Sequence, residues 1–310
     1  MKHMSLKKYL VIIGVCLSFN ASAQQEFNLY TGKIPNSKGC AVKEEWSEPA
    51  QGRGTVKKVT VPTLKVFIPE GTGKKRPAVI ICPGGGYQNL SIFDGGYETA
   101  RELNKAGIVA FVLKYRLSDS LCNTNNGIVA LQDAQQAIYT IRKDADKWNV
   151  DPDKIGYVGF SAGGHLSLMA ATHYMDSQIN NAEINLRPDF TVVAYPVISF
   201  TDSLTSAKSK TKSNLLGENI SKAQIKWYSP ELNVTDKTPP CFLIHASDDE
   251  TALVGNSLVY YQALHRHHVP ASMKIYQKGG HGFANYNKME NDHWIPQAVS
   301  WLALNNFLNK

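Results

Sequence analysis

The sequence predicts an α/β fold, a mostly parallel central sheet with helices on both faces. Three observations carry this: short apolar runs recur along the chain, helical periods separate most of them, and several runs are apolar throughout rather than alternating. Unbroken apolar strands are buried on both faces, which only a helix-covered parallel sheet provides. The first run, 56–68, is rich in Val and Thr and opens the series. Runs at 78–82, 109–115, 155–159, 190–195, 242–246 and 273–276 follow, each short enough for a core strand. The helical periods fall at 97–106, 129–148, 162–175, 252–267 and 294–308. In such sheets ligands sit beyond the carboxyl ends of the strands, so functional residues are expected just after them.

The first 23 residues stand apart. Lys2, His3, Lys7 and Lys8 precede an apolar run over 9–19 that ends in Ala21-Ser22-Ala23, the order of a secretory signal peptide cut after Ala23. That run is about half of the roughly 20 residues a membrane span needs, so no stable insertion is expected. A lipoprotein reading would centre on Cys16, but Val15 stands where a small residue is required. Residues 24–310 then form one domain, since no linker, repeat or low-complexity tract divides them. Their polar start, 24–55, reads as an irregular arm, and a polar stretch over 201–240 interrupts the strand–helix rhythm as an insertion over the site. A secreted or periplasmic location follows.

Charge excludes one class of partner. Of 33 basic residues three lie in the leader, leaving 30 against 26 acids, a net of +4. That is too mild for a nucleic-acid protein, and no basic stripe with interleaved aromatics occurs. Cys82 and Cys241 border apolar runs and read as small buried hydrophobes, whereas Cys40 and Cys122 lie in polar loops and could pair in an oxidising compartment. The histidines of His265-Arg266-His267-His268 close a helical period and complement its dipole rather than bind metal. Asp133, Arg142 and Arg116 read as structural polar contacts.

Gly159-Phe160-Ser161-Ala162-Gly163 fits G-x-S-x-G, the turn that lifts a serine oxygen off a sheet. Chance yields the pattern roughly once in ten chains of this length, so its context decides. It follows a predicted strand and opens a predicted helix, as the motif requires. A serine hydroxyl needs a base, and the base an orienting carboxylate, in the order Ser, acid, His. Asp248 and Asp249 follow the 242–246 run and His281 follows the 273–276 run inside Gly279-Gly280-His281-Gly282. Local sequence leaves the choice between the two aspartates open. Oxyanion donors are expected at the Ala162 amide and in Pro83-Gly84-Gly85-Gly86-Tyr87, a glycine loop after the 78–82 strand.

At these residues, together with the 111–117 and 279–283 stretches, the chain resembles the α/β-hydrolase esterases of the acetyl esterase and acetylxylan esterase group, related to dienelactone-hydrolase-like proteins. The resemblance implies Ser161 as nucleophile, His281 as base, Asp249 as acid, and the Gly85, Gly86 and Ala162 amides as the oxyanion hole. It departs at Ala252-Leu253, where similar proteins often read Val-Pro. Tyr87, Phe160 and Phe283 neighbour the site loops and are expected to contact substrate. The expected function is a secreted serine esterase that removes small acyl groups, above all acetyl, from plant polysaccharide, with no metal or organic cofactor. Two rivals share the fold. Peptidases of the prolyl-oligopeptidase type usually carry a large further domain, and a non-catalytic carbohydrate-binding relative would not retain the full set of Ser, Asp and His.

Overall fold

The computed structural model describes residues 25–47, 54–71, 73–180 and 183–308. The predicted leader and Cys16 lie outside these residues. Eight strands form the central sheet: β1 (Gln25–Asn28), β2 (Thr63–Phe67), β3 (Arg76–Cys82), β4 (Val109–Lys114), β5 (Val150–Phe160), β6 (Thr191–Ala194), β7 (Cys241–Ala246) and β8 (Ala271–Tyr276). Their spatial order is β1-β2-β4-β3-β5-β6-β7-β8. β2 runs antiparallel to both β1 and β4, and every pair from β4 to β8 is parallel. The carboxyl ends of five neighbouring strands, β3 and β5 to β8, therefore share one edge, where the loops carrying the candidate residues begin.

Helices α1 (Thr99–Lys105), α2 (Asn126–Lys143), α3 (Ala162–Thr172), α6 (Gly255–Arg266) and α7 (Ile295–Leu304) cover the sheet, while α4 (Thr211–Leu216) and α5 (Lys222–Trp227) belong to the insertion. Strand β7 shows how both faces are filled. Side chains alternate along a strand, so Cys241 and Leu243 cluster with Tyr260 and Leu264 of α6, while Phe242 packs against Trp301 of α7. All six residues of β7 are buried, as are all six of β4. That is why these runs read as continuously apolar. Among the described residues no helix is long and apolar enough to cross a membrane, and no His/Cys/Asp/Glu cluster suits a metal ion.

Several boundaries differ from the sequence expectation. The 56–68 run splits: Val56–Lys57 joins a small sheet with Glu45–Trp46 and Asn89–Leu90, and only Thr63–Phe67 enters the main sheet. Pro62 supplies the break, having no N–H for a ladder. The 129–148 helix begins three residues earlier, at Asn126, and ends at Lys143, followed by a 3₁₀ turn that closes at Asn149 with φ +52°. Before α1 the chain makes a π-turn over Ile92–Glu98, a geometry common at functional sites.

The polar arm is less irregular than its composition suggests. Its first residues pair with β2 as the edge strand β1, and buried polar contacts reach Tyr30 and Pro35. Arg116 and Asp133, both fully buried, form an ion pair of 2.7 Å. Arg116 also donates to the Pro35 carbonyl at 2.6 Å, and the Tyr30 hydroxyl donates to Asp133 at 3.0 Å. Asp133 thus pairs with Arg116, while Arg142 pairs with Asp189 at 2.8 Å. Cys40 and Cys122 form a disulfide across 82 positions, and Cys82 and Cys241 are buried thiols.

Loop-closure entropy for a bridge of that span is worth about 4 kcal/mol. Replacing both Cys40 and Cys122 with serine is expected to lower the unfolding free energy by that order in a urea titration. A loss below about 1 kcal/mol would mean that the Arg116 contacts hold the arm without the bridge.

Candidate active site

Ser161 sits between β5 and α3 with φ +52° and ψ −118°. This conformation is costly for a side-chain-bearing residue, and the neighbouring glycines make it possible. A Cβ on Gly159 would lie 2.4 Å from the Ser167 hydroxyl, and one on Gly163 would lie 2.0 Å from the Cys82 carbonyl oxygen. The turn is anchored on both sides: the Ser161 amide donates to Ala194 at 3.1 Å, and its carbonyl accepts from His165 at 3.0 Å and Val197 at 3.2 Å.

The three predicted catalytic residues meet. Ser161 Oγ is 2.8 Å from His281 Nε2, and His281 Nδ1 is 2.7 Å from Asp249 Oδ2. A carboxylate can only accept, so Nδ1 carries the ring proton and Nε2 is free to receive the serine proton. Asp249 is buried, and its Oδ1 accepts the amides of Thr251 at 2.8 Å and Ala252 at 2.9 Å. Burial pushes its pKa up, but hydrogen bonds from His245 and His281 outweigh that and hold the carboxyl well below the usual range. Asp248 points elsewhere: its Oδ1 accepts the Gly280 amide at 2.7 Å. The adjacent aspartates thus divide the work, one holding the imidazole and the other the backbone beside it. At Ala252, the Val-Pro departure, the amide still closes the acid loop.

The glycine loop aims its amides by anchoring its carbonyls. Gly84 O accepts from Ser91 N at 2.9 Å, and Gly85 O from Gln88 N at 3.0 Å and Asn89 N at 3.1 Å. In a trans peptide N–H and C=O point oppositely, so the Gly85 and Gly86 amides face away from these partners. Gly86 O in turn accepts from Asn214 Nδ2 of α4 at 2.7 Å, which ties the insertion to the loop. Gly85, Gly86, Ser161 and His281 line one cavity of about 410 Å³. Ala162 begins α3 with its amide at the helix start beside Ser161.

The expected substrate contacts divide. Tyr87 does not face this cavity: it is 2% exposed, and its hydroxyl bonds His165 Nδ1 at 2.9 Å. Its φ of +57° turns the ring behind the glycine loop into the core. Phe160 is 1% exposed yet contributes to the cavity floor. Phe283 lines a neighbouring cleft and packs edge-on against Tyr195 at 4.6 Å.

Tyr195 and the wall made by the insertion escaped the sequence reading. Tyr195 lies just past β6, sets its ring edge-on to His281 at 4.9 Å, and accepts the Ala284 amide at 3.1 Å. Its place at a strand's carboxyl end was a usable sign. Lys208, Lys210, Thr211 and Asn214 form the opposite wall, and nothing local in a polar insertion reveals which of its residues turn inward.

The BD-FAE family model matches residues 64–264. The chain is 35% identical over 230 residues to endo-1,4-beta-xylanase B of Butyrivibrio fibrisolvens, a match covering 73% of this chain and 35% of that protein. It is also 35% identical over 221 residues to an acetylxylan esterase of Xylanibacter ruminicola, covering 70% and 42%. The match thus spans less than half the length of either curated relative. Among solved structures, an acetyl ester-xyloside bifunctional hydrolase of Caldicellulosiruptor lactoaceticus superposes with a TM-score of 0.76 at 32% identity, covering 92% of this chain and 98% of that one. A carboxylesterase of Lactobacillus plantarum, at 23% identity and a TM-score of 0.68 over 87% of this chain and 100% of that one, shares the fold. The chain belongs to the BD-FAE family and has the α/β-hydrolase fold of these esterases.

Proposed function

We propose that the protein is an exported serine esterase that removes O-acetyl groups from xylan or its oligosaccharides. The observation that carries this is the unbroken relay from Ser161 Oγ through His281 to Asp249, at 2.8 and 2.7 Å, opening into a small cavity. Ser161 Oγ attacks the ester carbonyl carbon while His281 Nε2 takes its proton. The negative oxygen that forms is met by the Gly85, Gly86 and Ala162 amides. His281 then returns the proton to the departing sugar oxygen, leaving an acetyl-serine. A water, deprotonated by the same nitrogen, attacks that acyl group and frees acetate and Ser161.

The choice of substrate draws on the relatives whose names include acetylxylan esterase and acetyl ester-xyloside hydrolase. It also draws on the shape of the site. The 410 Å³ cavity continues past Asp94, His281, Gly282 and Ala284 into a second open cleft of about 470 Å³. A small acyl group fits at the serine while further sugar units extend along the cleft, and the polar wall of the insertion suits hydroxylated ligands better than lipid. Export rests on the Lys2 to Ala23 leader and agrees with the Cys40–Cys122 disulfide, since such bonds persist in oxidising compartments.

With p-nitrophenyl acetate, Ser161→Ala is expected to lower kcat by at least ~10⁴-fold. Asp249→Asn should cost ~10³-fold or more, because the amide no longer fixes the imidazole tautomer. Asp248→Asn, which keeps an acceptor for Gly280, should stay within about tenfold. The reverse ranking would move the acid by one position.

Substrate class is tested by incubating residues 24–310 with acetylated xylan, acetylated pectin and feruloylated arabinoxylan and quantifying the acid released from each. Acetate from xylan should dominate. Ferulate or pectin-derived acetate in greater amount would overturn the xylan assignment.

A further inference from the structure

His245 is a buried imidazole that the relay just described leaves unused. It lies on β7, four residues before Asp249, on the same strand face as Cys241 and Leu243 and therefore toward α6. Its surroundings select the tautomer of the neutral ring. Nε2 is 2.7 Å from the Ala252 carbonyl, which can only accept, so Nε2 carries the proton. Nδ1, 2.7 Å from Ser257 Oγ on α6, then accepts the hydroxyl hydrogen. The same Nε2 lies 3.3 Å from Asp249 Oδ2, the oxygen that receives His281.

We infer that His245 is a positioning residue of the catalytic acid, sharing its Nε2–H between the Ala252 carbonyl and Asp249 Oδ2 and thereby holding the acid loop and the carboxylate in the orientation that serves His281. This rests on the assignment of Asp249 as the acid. A carboxylate offers about four lone-pair sites. Here Oδ1 takes two backbone amides, from Thr251 and Ala252, while Oδ2 takes the His281 Nδ1–H and lies 3.3 Å from the His245 Nε2, whose one N–H the Ala252 carbonyl also accepts at 2.7 Å. Rotation of the carboxylate would strand the amides of Thr251 and Ala252, a loss that the low-dielectric interior makes expensive. The Thr251 and Ala252 amides and His245 Nε2 all approach the carboxylate independently of His281. His245 is the one that shares an oxygen with it. The Ala252 carbonyl bond couples the imidazole to the acid loop as well, so a single side chain spans β7, the loop and, through Ser257, α6.

The test compares His245→Leu, His245→Gln and Ser257→Ala with the native protein, residues 24–310. It uses steady-state kinetics on p-nitrophenyl acetate and the far-downfield proton resonance of the His281 Nδ1–H. Displacing a catalytic group by a fraction of an ångström to one ångström costs up to ~10²-fold in rate. His245→Leu should therefore lower kcat ~10–100-fold with KM within about twofold, and should broaden or shift the resonance. Glutamine, which can place an amide N–H near the position of Nε2, should recover most of the lost kcat. Should the leucine variant fail to fold, Ser257→Ala releases the ring by a smaller change and should lower kcat about 3–10-fold with the same resonance perturbed. A folded His245→Leu protein, or failing that Ser257→Ala, with native kcat and an unmoved resonance overturns the inference. Failure of the underlying triad looks different: the native protein would then lack the resonance and Ser161→Ala would stay active.

Discussion

The chemistry of this protein depends on one backbone conformation, the left-handed turn that holds Ser161 at φ +52° between β5 and α3. Such a conformation costs on the order of 1–3 kcal/mol and persists only where its surroundings over-determine it. They do so here through bonds on both sides. The Ser161 amide is committed to β6 through Ala194, and its carbonyl to His165 and Val197. The close approach of Gly163 to Cys82 brings α3 against the end of β3. The contact that lets α3 seat also sets the serine next to the glycine loop, because that loop is the continuation of β3.

Around this turn the site is held by groups that are themselves held. The loop bearing His281 is fixed at its backbone by Asp248 and at its ring by Asp249. Tyr195 supports the same ring from the side and ties down Ala284 beyond it. The glycine loop is pinned through its carbonyls, twice by its own following turn and once by Asn214 of the insertion. The insertion also meets the core through His165, whose Nε2 is 2.8 Å from the Tyr228 carbonyl and whose Nδ1 receives the Tyr87 hydroxyl. Burial pushes that imidazole down to about 4, so it stays neutral and keeps both bonds at physiological pH. The insertion is thus a built part of the site wall, bonded to the glycine loop directly through Asn214 and indirectly through His165.

Much of this was legible before any coordinates. The strand and helix runs are written in apolar continuity and period, and the nucleophile turn in glycine spacing. The order of Ser, acid and His follows from the placement of candidates after strands. Boundaries failed where backbone chemistry intervened, as at Pro62, or where a polar segment gained structure by pairing, as β1 does with β2. The substrate contacts were the weakest part. Tyr87 adjoins the glycine loop in sequence and yet faces the core, because its own positive φ reverses its direction. Tyr195, Asn214 and His245 are ordinary residues locally and gain their meaning from partners far away in the chain.

By itself the sequence determined the fold class and the elbow and marked Ser161 and His281 as the candidate nucleophile and base, since these follow from hydrophobic periodicity, from the steric needs of a tight turn and from the placement of candidates after strands. Which aspartate meets the imidazole was left open by the local sequence and implied only by the resemblance, while which side chains wall the cavity and where His245 lies beside Asp249 were decided by tertiary structure alone. Ser161 and His281 lie 120 positions apart, and what brings them together is the lateral order of the strands. That order emerges from packing both sheet faces at once, and no local pattern encodes the direction in which a loop side chain will then point.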